Sequence, residues 1–298
     1  MPSPPVIVEA PSVLGLRPTG VEKLPDALRA AQLHSRLNVS DVHRVRPLPY
    51  DDRRDEATGM LNPRALVEYT HQLADVVATA LERGARPLVL GGDCTILLGN
   101  LLALRRRGQY GLLFLDGHAD FYQPEANVNG EAASSELALA TGRGPASLTS
   151  FDGYRPLVED AFVVAIGMRD AEEAQSYGSQ SLPDTIRQFD LATLRHEGIT
   201  RTAEESIAHF RERSVDGIWI HFDVDVLDDA IMPAVDYRLP GGLTWSEAES
   251  LLRSIWTSGL AVGMDVTIFN PTLDADGHIA RALVEFLERT LSASSASR

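Results

Sequence analysis

The chain contains a single cysteine, Cys94, among its 298 residues. One thiol excludes an intramolecular disulfide and makes a reducing compartment the simpler default. Basic residues are also scarce, 27 Lys and Arg against 42 Asp and Glu, for a formal charge of −15. So few cations cannot easily build the basic patches that nucleic acid or an anionic membrane surface would require, so neither is expected as a partner. A small cationic ligand suits this field, and the same acidity also serves solubility. No apolar run approaches the roughly 20 residues of a membrane span, and the N-terminus lacks the basic and apolar segments of a signal peptide. The protein is therefore expected to be soluble and cytoplasmic. There is no internal repeat and no linker composition, so residues 1–298 are expected to form one domain.

What the chain does have is a 44% hydrophobic content, enough for a large core. Short apolar runs at 6–10, 86–90, 112–115, 162–166, 217–222 and 261–267 read as strands. Apolar residues spaced by three and four place helices at about 63–83, 96–106, 203–213, 245–257 and 277–291. A further helix is expected from the Gly20–Pro25 region to about Leu33, and a further strand over 44–50. This alternation predicts an α/β fold, a three-layer α/β/α arrangement with a mainly parallel sheet. Ligands bind beyond the carboxyl ends of such strands, where Cys94, Asp116 and Asp223 all fall. The low-complexity stretch from Ser292 to Ser297 is expected to fray.

Two strand ends carry unusual chemistry: Leu115-Asp116-Gly117-His118-Ala119-Asp120 and His221-Phe222-Asp223-Val224-Asp225. Alternate residues of an extended segment share a face, so Asp116, His118 and Asp120 are expected to point together, as are Asp223 and Asp225. Four carboxylates and an imidazole in one small volume repel one another unless a multivalent cation neutralises them. An oxygen-rich set with a little nitrogen favours Mn²⁺ over a thiolate-loving metal. A binuclear metal site is the expected result. The polar loop 122–135 exceeds the usual strand-to-helix connection, which marks it as a binding element.

Gly91-Gly92-Asp93-Cys94, Asp116-Gly117-His118-Ala119-Asp120, Gly167-Met168-Arg169-Asp170, Phe222-Asp223-Val224-Asp225 and Asn270-Pro271 resemble, in order and spacing, the arginase/agmatinase (ureohydrolase) family. The resemblance implies hydrolysis of guanidino or formimino compounds by two Mn²⁺ ions on an α/β/α fold, often in homo-oligomers that are trimers or hexamers. It makes Asp116 and Asp223 bridging ligands, His118 and Asp225 ligands of one ion, and Asp120 a ligand of the other that also orients the attacking hydroxide. It further implies that Glu172, two residues beyond Arg169-Asp170, binds a substrate α-amino group, and that Asn129 reads the α-carboxylate.

Three departures stand beside these matches. Cys94 replaces the family's first metal-binding histidine, and is either a thiolate ligand or a small buried thiol. A branch that includes hydrolases of Nω-hydroxy-L-arginine resembles this chain in carrying that cysteine. Ile268 stands where the family grips the guanidinium with glutamate, which disfavours a fully charged guanidinium relative to a less basic group. Ala133 replaces the proton-shuttling histidine, and nearby Glu131 is either the substitute acid or a solvated loop residue. His221, where Ser or Thr is usual, is a packed group whose ring could reach a metal-bound carboxylate. The favoured reading is a manganese-dependent ureohydrolase of a modified arginine such as Nω-hydroxy-L-arginine. Its rivals are an agmatinase, guanidinobutyrase or formimidoylglutamase, and a metal-deficient relative acting as a binding or regulatory protein.

Overall fold

The computed structural model describes residues 5–39 and 41–292, and the serine-rich stretch 293–297 lies outside the described residues. In chain order the elements are β1 (Val6–Ala10), α1 (Leu24–Ala30), α2 (Leu33–Arg36), β2 (Asp41–Arg44), α3 (Pro63–Glu82), β3 (Pro87–Gly91), α4 (Ile96–Arg105) and β4 (Gly111–Leu115). There follow α5 (Glu136–Ala140), α6 (Ala146–Thr149), β5 (Val163–Ile166), α7 (Ala171–Ser176), β6 (Arg187–Phe189), α8 (Leu191–Glu197) and α9 (Ile199–Glu212). The chain closes with β7 (Ile218–Asp223), α10 (Trp245–Thr257), β8 (Ala261–Thr267) and α11 (His278–Leu291). The eight strands form one sheet in the order β2-β1-β3-β8-β7-β4-β5-β6, every neighbouring pair parallel.

Successive strand residues enter opposite cores, which is why the strands are continuously apolar. Ile7, Leu88, Leu113 and Ile220 pack with Phe210, Leu251 and Phe286 of α9, α10 and α11. Their neighbours Val8, Val89, Leu112 and Trp219 pack with Leu73 and Val77 of α3 and Leu97 and Leu101 of α4. The result is the expected three-layer α/β/α fold. One strand is displaced: the run read at 44–50 pairs at Asp41–Arg44 instead. Val45 N–H still donates to Glu9 O at 2.9 Å, but Pro47 and Pro49 have no N–H to continue the ladder. β6 was not anticipated, because its three residues bury only Phe189 and leave no apolar run to read.

The sheet order sets β3, β8, β7 and β4 side by side, so residues near 94, 116, 223 and 267 meet at one carboxyl edge. The turn after β3 is held close: a Cβ on Gly92 would lie 1.7 Å from the Ser12 carbonyl oxygen, so only glycine fits there.

Candidate metal centre and its cleft

β4 stops at Leu115 and β7 at Asp223, so the ligand-bearing residues beyond them are not extended. Alternation along a strand, the reason given for their convergence, is therefore not what gathers them. An aspartate instead folds the chain back on itself at each strand end, Asp116 just beyond β4 and Asp223 at the last position of β7. Asp116 Oδ1 accepts from the His118 N–H at 2.6 Å, and Asp223 Oδ1 from the Asp225 N–H at 2.8 Å. The two turns are joined: Asp225 Oδ1 accepts from the Gly117 N–H at 3.0 Å, and its Oδ2 lies 2.9 Å from His118 Nδ1. Arg169 reaches under this assembly and donates to the carbonyls of Asp225 (2.7 Å), Leu227 (3.2 Å) and Leu239 (2.8 Å). Its guanidinium thus ties backbone and makes no direct ion pair with the carboxylates, although its charge helps to lower Asp225. Asp120 takes φ 42°, a left-handed conformation that aspartate tolerates better than most residues.

The side chains fall into two ligand groups, Asp116–His118–Asp225 and Cys94–Asp116–Glu136–His221, and within each the donor atoms lie within 4.8 Å of one another. Asp116 belongs to both. Asp223 joins them, with its Oδ2 2.9 Å from Cys94 Sγ and 3.2 Å from Thr267 Oγ1. Among the described residues, the only cationic groups in ion-pair contact with these carboxylates are the imidazoles of His118 and His221.

The electrostatics follow. Burial, followed by the Asp225 charge, pushes Asp116 up to about 6. Burial and neighbouring carboxylates likewise hold Asp120, Asp223 and Glu136 well above the ordinary carboxylate range. Burial and the adjacent Asp223 raise the Cys94 thiol. Asp225 moves the other way: burial opposes its charge, but His118 and the Gly117 amide outweigh it. Carboxylates raised by mutual repulsion are what a divalent cation relieves, so the donors present fit such ions.

Above the groups lies a cavity of about 150 Å³, a small-molecule space, with Cys94, His118, Asp120, Asp223 and Asp225 in its lining. Residues 122, 126–129, 133 and 134 of the long polar loop line it as well. Arg54 steadies that loop by donating to the carbonyls of Asn127 (2.9 Å) and Val128 (3.1 Å). Asn129 lines the cleft from an exposed position.

Glu172 does not. It is exposed on α7 and borders a separate cavity, while Glu173 lines the cleft, because adjacent helical residues point about 100° apart. Glu131 is neither a solvated loop residue nor part of the cleft lining. It is buried, accepting from the Tyr237 hydroxyl at 2.6 Å and from the Arg17 N–H at 3.1 Å. Tyr237 faces the cleft in its place, its hydroxyl pKa raised by burial and by Glu131. Ile268 lines the cleft at φ 70°, a strained conformation for a β-branched residue, and its N–H donates to Gly92 O at 2.9 Å. Sequence reasoning missed Glu136 and Tyr237. The one signal for Glu136 was an acid heading an otherwise apolar Glu136-Leu137-Ala138-Leu139-Ala140 helix.

A parallel sheet whose central strands end in two ligand groups with one aspartate in common has the architecture of a ureohydrolase. The chain belongs to the arginase family, which its residues 4–292 match. It is 30% identical to the arginase of Staphylococcus aureus (strain COL) over 290 residues, 94% of each chain. The native arginase of Bacillus caldovelox superposes with a TM-score of 0.86 at 26% identity, covering 98% of this chain and 100% of that one. Proclavaminate amidino hydrolase from Streptomyces clavuligerus shares the fold, with a TM-score of 0.70 at 20% identity. The chain is thus an arginase-family hydrolase, of a family acting on guanidino compounds. No described helix is long and apolar enough to cross a membrane.

Proposed function

We propose that this chain is a manganese-dependent amidinohydrolase that cleaves a C–N bond in the guanidino group of a modified arginine, Nω-hydroxy-L-arginine being the preferred case. The observation that carries the reading is the lining of one cleft by Cys94, His118, Asp120, Asp223 and Asp225, with no Lys or Arg in ion-pair contact with these groups among the described residues. Asp116, His118 and Asp225 would hold one ion, and Cys94, Asp120 and Asp223 the other. When bound, such ions supply the Lewis acidity that brings the pKa of water near neutrality. Asp120, in the cleft lining, would as its carboxylate orient the attacking water.

Ile268 decides the substrate class. An apolar wall offers no counter-charge to an ordinary guanidinium, whereas a less basic hydroxyguanidine is desolvated more cheaply. Asn129 reads the substrate carboxylate, a role its place in the cleft lining supports, and Glu173 takes the amino-group role that Glu172 is too far round the helix to fill. Tyr237 meets the leaving amine, and Glu131 acts as a positioning residue through the Tyr237 hydroxyl. Cytoplasmic assembly as a homotrimer or homohexamer accompanies this reading through the family resemblance. Metal analysis of the purified protein with a screen for released urea and hydroxyurea tests it. Hydroxyurea from Nω-hydroxy-L-arginine, with slower or no urea release from arginine, is expected; faster turnover of arginine or agmatine would overturn the substrate assignment.

A further inference from the structure

Glu136 and His221 are buried titratable groups that the hydrolytic reading leaves unused. Glu136 is fully buried at the head of α5, and neither of its carboxylate oxygens has a hydrogen-bond partner among the described residues. His221 is equally buried on β7, its ring stacked on Phe114 with centroids 5.0 Å apart. Its Nδ1 lies 2.6 Å from Asp265 Oδ1. The other Asp265 oxygen accepts from Asn100 at 2.8 Å and from the Trp219 indole at 2.5 Å. A carboxylate so engaged is an acceptor, so Nδ1 carries a proton, and Nε2 on the other side of the ring is the atom that a cation, by displacing any proton there, would engage.

Nε2 points between Asp116 Oδ2 and Glu136 Oε1, 3.8 Å from each. Asp116 Oδ2 and His221 Nε2 also have no hydrogen-bond partner among the described residues. A gap of 3.8 Å is too long for a hydrogen bond. It lies near the ~3.5 Å ligand-to-ligand spacing that cation bonds of about 2.0–2.3 Å give at tetrahedral angles. Cys94 Sγ completes a group of four donors within 4.8 Å of one another.

We propose that Cys94, Asp116, Glu136 and His221 form a buried cation pocket in which the ion on the cysteine side sits, deeper than the Cys94–Asp120–Asp223 position. One thiolate, one imidazole and two carboxylates in four-coordinate array suit Zn²⁺ or Co²⁺ better than Mn²⁺, so the two positions of the centre differ in metal preference. Asp265 behind His221 is the carboxylate–imidazole arrangement that raises ligand basicity and fixes ring orientation. This inference rests on the reading of a two-ion centre and concerns only where one ion sits and which metal it is.

The test loads chelated, full-length protein with Co²⁺ alone and follows the near-ultraviolet thiolate-to-cobalt charge-transfer band, with metal counted by mass spectrometry in competition between Zn²⁺ and Mn²⁺. One Zn²⁺ per chain should resist excess Mn²⁺, and Cys94→Ser should abolish the band. Glu136→Gln and His221→Gln should each weaken Co²⁺ at this position by on the order of tenfold or more while a second ion is retained. Glu136→Gln is nearly isosteric and keeps the test decisive if His221→Gln fails to fold. Unchanged Co²⁺ affinity in Glu136→Gln, or no charge-transfer band in the wild type, overturns the pocket. A band that is lost in the variants, in a protein that hydrolyses no guanidino compound, would sustain the pocket and sink the enzyme assignment. Turnover with two Mn²⁺ and no band would do the reverse.

Discussion

The two halves of the centre are built in opposite ways. In the His118–Asp225 half the backbone completes the geometry. Amides of Gly117, His118 and Asp225 satisfy the carboxylates, and Arg169 fastens the turn from below. In the Cys94–Glu136–His221 half, Asp116 Oδ2, both Glu136 oxygens and His221 Nε2 have no hydrogen-bond partner among the described residues. The protein thus preorganises the first half throughout, whereas in the second it fixes the His221 ring through Asp265 and leaves the Asp116 and Glu136 oxygens to the ion. A change to the shared aspartate should strike both halves, and changes elsewhere only one.

Asp116→Ala is expected to have the largest effect, removing both ions and all turnover; metal analysis that still found one tightly held ion would show the halves to be independent. Next comes pH. The folded-state pKa of Asp116 is raised from 3.8 to about 6, so between those values the folded state binds more protons than the unfolded one. Cation-free protein should therefore lose stability as pH rises through that window, and Mn²⁺ should restore more at neutral pH than at acid pH. Thermal unfolding with and without Mn²⁺ on either side of the window measures this, and a cation-free midpoint that rises with pH would contradict it.

Arg169→Ala loosens only the backbone-built half. It should weaken the ion at His118 and Asp225 by on the order of tenfold and leave the cobalt–thiolate band in place. Cys94→His alters the other half, giving firmer Mn²⁺ retention with loss of that band; unchanged retention of every metal would mean that Cys94 is no ligand. The smallest effect is expected from Glu131→Gln, about 1 kcal/mol of stability through the Tyr237 contact. A modest fall in kcat at constant metal content should accompany it, and an unchanged kcat would remove Glu131 from the positioning role.

The layers of the molecule were readable because burial on both faces leaves uninterrupted apolar runs such as Leu88-Val89-Leu90, and α3 shows its buried face at spacings of three and four. The metal-ligand residue types were readable too, since paired acids beside a histidine are costly without a cation. Glu136 was not, because nothing local distinguishes a buried helix-heading glutamate from a solvated one. Glu131 and Glu172 show the same limit. One is buried against Tyr237 and the other turned to solvent, for reasons that lie in distant parts of the chain.

By itself the sequence determined the parallel α/β architecture, the family and the carboxylate-rich strand ends, because periodicity, hydrophobicity and residue chemistry are local properties. Only the tertiary structure decided that two aspartate turns, not strand alternation, gather the ligands. It also decided that His221 and Glu136 face Cys94 and Asp116, because strand order brings together residues that no local rule connects.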